Sequence, residues 1–229
     1  MALLPAFGEQ ATPMRIKLAA AVAFTLVVAP VMWSDVSFAL AQGGWMPLIG
    51  VEVVAGLLIG IMFRFFVIAL QIAGTVAAQA TSLSQIFGGG LGAEPQPAMS
   101  TLLVVAGLCL AVMAGLHVRV AEALIESYQL FPLGNPVAAA DLSMWGIDRI
   151  GRAFALGLSL ASPFILASFV YNLALGAINK AMPQLMVAFV GAPAISWGGL
   201  VLLLLFAPLM LMVWLKTFLE QTSISGGGF

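Results

Sequence analysis

The sequence predicts an all-α protein built of several long, broken membrane helices, with no soluble domain. Three observations carry this. Apolar residues make up 62% of the 229-residue chain and charged residues 7%, against roughly 45–50% and about 25% in a soluble domain. Uncharged runs long enough to cross a bilayer, which takes about 20 residues, recur from one end to the other. Glycine and proline, at 24 and 12 residues, punctuate those runs where they can stop or bend a helix.

The same composition excludes other classes. So apolar a chain is not disordered. A net charge of −1 leaves no basic footprint for nucleic acid. Cys109 is the single cysteine and His117 the single histidine, so neither an internal disulfide nor a Cys/His metal cluster is available. No cofactor site is expected.

The first run, 18–34, lies between Lys17 and Asp35. Thr12-Pro13 ahead of it suits an N-cap and first helical residue. Arg15-Ile16-Lys17, the run itself and Ala39-Leu40-Ala41 imitate a secretory signal peptide. The run is long for such a leader and further spans follow, so it is read as a retained helix. Residues 34–44, ending in Gly43-Gly44, are expected to form a loop.

The second run, 45–80, holds only Glu52 and Arg64 as charges and is too long for one simple span. It is laced with Gly50, Gly56, Gly60, Gln71, Gly74, Thr75 and Gln79. A helix packed in protein has a use for that pattern, because glycine lets backbones approach and polar groups need partners. Gly56 and Gly60 make a small-residue seam; chance is the plain alternative in a glycine-rich chain. Gln71, Thr75 and Gln79 share a stripe at four-residue spacing, which faces either protein partners or a pore. Glu52 and Arg64, twelve residues apart, sit about 120° apart around the helix, so each should find its partner on another helix or chain.

Residues 82–100 contain four glycines and two prolines in 19 positions, which predicts irregular structure. Leu83, Ile86, Phe87, Leu91 and Met99 lie along it. The third run, 97–118, passes into a stretch at 113–128 with His117, Arg119, Glu122 and Glu126. Arg119 and Glu122 can pair. The plain reading is a helix end emerging into water; the sharper one is a proton relay. A polar connector follows at 131–143 with Pro132-Leu133-Gly134-Asn135-Pro136. The fourth run, 153–179, contains Asn172, expected to bond backbone or a neighbouring subunit. The last, 181–215, is uncharged, and Pro183-Gln184 and Gly191-Ala192-Pro193 are expected to break it into two helices. Lysine and arginine are scattered too evenly for the positive-inside rule to give a topology.

Three ordered segments carry a resemblance. The first is Pro5-Ala6-Phe7-Gly8-Glu9, then Pro13-Met14-Arg15-Ile16-Lys17-Leu18, then Ala29-Pro30. The second is Glu52, Gly56, Ile59-Gly60, Phe66, Gln71-Ile72-Ala73-Gly74 and Gln79. The third is Pro163, Asn172-Leu173-Ala174-Leu175-Gly176, Pro183-Gln184-Leu185 and Phe189-x-Gly191-x-Pro193. Gly115-Leu116-His117, Ser127 and Phe131-Pro132-Leu133-Gly134 add to them. Together they resemble the FliR family of flagellar export-gate proteins, whose superfamily includes relatives in virulence type III secretion. Three departures stand out. Family members usually carry an apolar stretch before the segment that here starts at Leu3, so part of the first helix is expected to be lacking. In the 82–100 segment Ser84 replaces one of two aromatics and Glu94-Pro95 stands for Asp-Pro. Met186 follows the Pro183 motif in place of Asn or Ser.

The resemblance implies a single export-gate domain over 1–229, made of long broken helical hairpins and lacking part of the usual first helix. It implies a protein that is not an enzyme. Its partners would be FliP-, FliQ- and FlhB-like gate subunits, the basal-body ring and the lipid bilayer of the inner membrane, without nucleic acid. Unfolded flagellar proteins would be the substrates. It also implies a plug in the irregular segment, here Leu83, Ile86, Phe87, Gly88, Gly89, Gly90 and Leu91. The residue types suit that role, because an adaptable apolar constriction can pass varied side chains and exclude ions by dewetting. Gly56, Gly60, Gln71, Thr75, Gln79, Asn172, Pro183 and Gln184 are the candidate subunit-packing residues. The rival readings are an injectisome gate, a secondary transporter and an intramembrane enzyme. A transporter would usually show internal repeats. An enzyme would need a catalytic constellation, and no Ser/His, Asp/Asp or zinc-ligand arrangement is visible.

Overall fold

A computed structural model of the chain describes residues 1–9, 12–43, 45–81, 97–130, 139–182 and 187–222. Among these there are six α-helices and no strand. They are α1 (Met14–Gly43), α2 (Trp45–Ala80), α3 (Ala98–Met113), α4 (Leu116–Leu130), α5 (Ala139–Ala181) and α6 (Val187–Thr222). Four stretches are long and apolar enough to cross a membrane: Met14–Trp33, Leu48–Ala80, Leu142–Ala181 and Pro193–Thr222. The bent pair α3–α4 makes a fifth if counted as one broken span.

Several boundaries differ from the sequence expectation. The loop expected at 34–44 is helical through Gly43. No proline interrupts it, and Ala39-Leu40-Ala41-Gln42 are strong helix formers. Pro13 rather than Thr12 opens α1: its carbonyl accepts from the N–H groups of Ile16 (3.0 Å) and Lys17 (3.3 Å). The connector expected at 131–143 ends sooner, since α5 begins at Ala139. Gly191-Ala192-Pro193 does not interrupt the last run, because α6 starts at Val187 and carries Pro193 within it. Pro193 is the seventh residue of α6, so it removes one i→i−4 backbone bond, and the helix continues through it. α5 ends at Ala181 and Met182 lies outside it.

The third run is also not one rod. α3 and α4 meet at an angle of 72°. Gly115 supplies the corner with φ +86°, a conformation that a side chain disfavours. The last carbonyls of α3 are capped across the corner, Ala114 N–H to Leu110 O at 2.8 Å and Gly115 N–H to Val112 O at 3.1 Å.

The chain forms two compact units. The first comprises Met1–Val67, Leu108–Arg152 and the chain from Lys216; the second comprises Ile68–Gly107 and Ala153–Leu215. In the first unit Phe218 meets Phe66 edge-on (5.3 Å between centroids) and Phe63 at a tilt (6.1 Å). Phe63, Leu116, Val120 and Ala123 are buried, and α1 packs on α4. In the second unit Leu70, Leu103, Phe164 and Trp214 are fully enclosed. The helices differ sharply in enclosure. Half of the best span in α2 is buried, against 6% in α1. α2 is therefore more enclosed than α1, which keeps most of its apolar surface outward.

Candidate functional site

The second unit is organised around the last part of α2. There Ala69, Ala73 and Ala77 recur every fourth residue, beside Gly74 and Ala78 in the same spacing. All five are buried. Small side chains on one face let other helices come to backbone distance, where dispersion contacts are densest. At Gly74 the approach is close enough that a Cβ would sit 2.7 Å from the backbone nitrogen of Ser100 and 2.9 Å from its Cβ. Ser100 Oγ donates to the carbonyl of Gln71 at 3.3 Å. Gly157 of α5 comes equally near: a Cβ there would lie 2.8 Å from Ile72 Cβ and 2.9 Å from the Ala69 carbonyl. Gly107 of α3 faces Leu70, with the Trp214 ring beyond.

Both borders of the 82–96 segment are held within this unit. Thr81, at the end of α2, is buried and donates its hydroxyl to Ala77 O at 2.9 Å. Gly199 of α6 lies against it, so that a Cβ at 199 would meet Thr81 Cβ at 2.5 Å. On the far border Met99 and Ser100 are buried at the start of α3. Thus Thr81–Gly199 and Ser100–Gly74 are two contacts that only glycine permits, one at each border of the segment.

The candidate plug residues Leu83, Ile86, Phe87, Gly88, Gly89, Gly90 and Leu91, and the packing candidates Pro183 and Gln184, lie outside the described residues. Gly56 has open space where a Cβ would be, whereas Gly60 faces the Leu3 side chain at 2.9 Å. Gln71 and Thr75 are half-buried and Gln79 is exposed. Thr75 returns its hydroxyl to its own helix, at Gln71 O (2.8 Å) and Ile72 O (2.9 Å). Asn172 is exposed and its amide donates to Ser168 O, one turn earlier, at 2.8 Å. Gly74 belongs to the small-residue pattern read from the second run; the glycines at 107, 157 and 199 were not singled out as seats. The repeated small residues at 69, 73 and 77 were the available signal for Gly74 as a seat.

Both charges of the second run have partners on other segments. Tyr128 of α4 donates to Glu52 Oε2 at 3.0 Å. Arg64 holds Glu9 at 2.7 Å. Each partner is remote in sequence, as the angle between Glu52 and Arg64 requires. Arg119 and Glu122 come to 3.9 Å as an i,i+3 pair. His117 is exposed. Tyr171 of α5 donates to Gly191 O at 2.6 Å, which ties α5 to the start of α6. Among the described residues no group of His, Cys, Asp and Glu could hold a metal ion. The site offers close packing and satisfied polar groups, the chemistry of a structural joint.

A family model described as bacterial export proteins, family 1, matches residues 1–221. A flagellar biosynthetic protein FliR of Caulobacter vibrioides is 33% identical over 223 residues, covering 96% of this chain and 89% of that protein. The protein of the same name from Escherichia coli is 24% identical, over 90% of this chain and 79% of its own. A third, from Pectobacterium carotovorum, is 29% identical with the same coverage, 90% and 79%.

Proposed function

The chain belongs to family 1 of the bacterial export proteins, and from that premise we propose that it is a subunit of the flagellar type III export gate. It conducts unfolded flagellar proteins across the inner membrane as one export-gate domain spanning residues 1–229. The observation that carries this reading is the match along residues 1–221, together with the flagellar name shared by the relatives. The physical picture is in keeping with it. Long helices expose apolar faces such as Leu204 and Met212 of α6 and Phe169 of α5, which suits a chain that completes its packing against lipid and FliP-, FliQ- and FlhB-like subunits. Its role is that of a wall and joint, with no chemistry of its own.

Within that function Leu83, Ile86, Phe87 and Leu91 serve as the apolar constriction and Gly88, Gly89 and Gly90 allow its displacement. The borders of that segment at Thr81 and Ser100 give it fixed points. Gly56, Gln71, Thr75, Gln79, Asn172, Pro183 and Gln184 contribute to packing on neighbouring subunits, whereas Gly60 packs on Leu3 of the same chain. Deleting the gene should abolish swimming and remove flagellin from the culture medium, and a plasmid copy should restore both. A deletion strain that still swims overturns the assignment. Phe87→Ala should raise ion leak through the gate; unchanged membrane potential and normal secretion would reject the plug.

A further inference from the structure

Segment 1–9 is folded against the first unit at both ends. Leu4 is buried. Leu3 lies on Gly60 of α2, where a Cβ on the glycine would stand 2.9 Å from the leucine Cβ. One helical turn further along α2, Arg64 Nη1 donates to Glu9 Oε1 at 2.7 Å, with both side chains about one-third exposed. The same segment grips α1. Phe7 meets Phe24 edge-on, 5.9 Å between centroids at 88°. Lys17 Nζ donates to Gly8 O at 3.1 Å. Internal bonds keep the segment compact, with Leu4 N–H on Met1 O at 3.2 Å and Gly8 N–H on Leu4 O at 2.6 Å. All of these residues belong to the first unit.

We propose that residues 1–9 act as a clasp that sets the angle of α1 against α2, with Leu3 on Gly60 as its apolar end and Glu9–Arg64 as its polar end. α1 buries only 6% of its apolar span within the chain and packs on α4, so its angle to α2 needs a further link. A segment that touches both helices supplies that constraint. Gly60 then serves this chain's own segment, and Arg64 is a positioning residue whose charge is matched in the same unit. An arginine facing the apolar surroundings of a membrane helix without its carboxylate would be costly, which gives the pair its directional strength.

The test is a charge swap read in two ways in cells carrying the full export apparatus. Cys109 is first changed to Ser, and Phe7→Cys with Phe24→Cys, which leaves Leu3 on Gly60 intact, then reports the clasp by short bis-thiol cross-linking. Glu9→Arg and Arg64→Glu should each lower cross-link yield at least two-fold and shrink the swimming halo. The double variant Glu9→Arg/Arg64→Glu should bring both back towards the parent. Cross-linking does not depend on what the apparatus exports, so failure of the clasp and failure of the proposed function are distinguishable. If the single variants fail to accumulate, a double variant that restores the protein level supports the clasp. A double variant as defective as the singles overturns it, and so does Glu9→Arg with normal cross-linking and motility.

Discussion

Gly74 and Gly56 lie 18 residues apart on α2 and meet opposite surroundings. The first has the backbone of Ser100 pressed against it; the second has nothing within 4 Å of where a Cβ would stand. Gly74→Ala should therefore push α3 off α2 and cost about 1–3 kcal/mol, as overpacking of a tight contact does. The check is a lower unfolding temperature of the purified gate complex. Gly56→Ala should leave the fold of the chain unharmed and add up to about 1 kcal/mol of helix propensity. Gly56→Leu divides the roles more sharply. If Gly56 packs on a sister subunit, the variant accumulates normally but co-purifies with less FliP- or FliQ-like protein and swims poorly; unchanged co-purification would remove Gly56 from the interface. At this scale the sequence was legible for polar groups and poorly legible for glycines. Glu52 and Arg64 could be told apart as non-partners by angle alone. Gly74 could not be ranked above Gly50 or Gly56 in the same pattern, and Gly107, Gly157 and Gly199 were not marked at all, because a seat is defined by what faces it, and that residue lies elsewhere in the chain.

Among the elements, α3 and α4 depend most on one backbone conformation. Gly115 turns the corner with φ +86° and open space around it. Gly115→Ala meets no neighbour, so its cost is the left-handed backbone itself, about 1–2 kcal/mol. The expected result is a lower unfolding temperature with intact assembly at permissive temperature, and a suppressor search should return glycine or asparagine at 115 before distant changes. α6 is the second case. Trp214 is fully buried and its ring lies near Gly107, in the same unit. Trp214→Ala should cost about 3–5 kcal/mol, the range for removing a buried aromatic, and lower the steady-state amount of protein on an immunoblot. Leu204→Ala, at an exposed position, should leave that amount unchanged. The existence of the helices was legible from uncharged runs, and their breaks only in part. Gly115 was visible as a glycine after an apolar run, but a positive φ is a property of the folded corner. Gly191-Ala192-Pro193 read as a break and is not one: the helix continues through Pro193 with the loss of a single backbone bond.

For the whole molecule, the governing fact is how little of its apolar surface the chain covers by itself. The outward faces of α1, α5 and α6 carry Leu26, Phe169, Leu204 and Met212, all well exposed. A monomeric soluble protein rarely leaves contiguous apolar patches of that kind. Expressed without its neighbours, the chain should be degraded or aggregate in detergent, and co-expression with FliP- and FliQ-like subunits should raise its steady-state level several-fold. A chain that is equally abundant and monodisperse alone would count against an assembly of subunits. Class and membrane setting were determined by the sequence by itself, because hydropathy of a run is a sum over adjacent residues and needs no knowledge of contacts. Which glycines bear a neighbour, where Arg64 and Glu52 find their counter-groups, and how sharply α3 turns into α4 were decided only by the tertiary structure. Each of those is a relation between residues distant in the chain, and short-range forces such as packing and hydrogen bonding come into being only once the fold has brought them together.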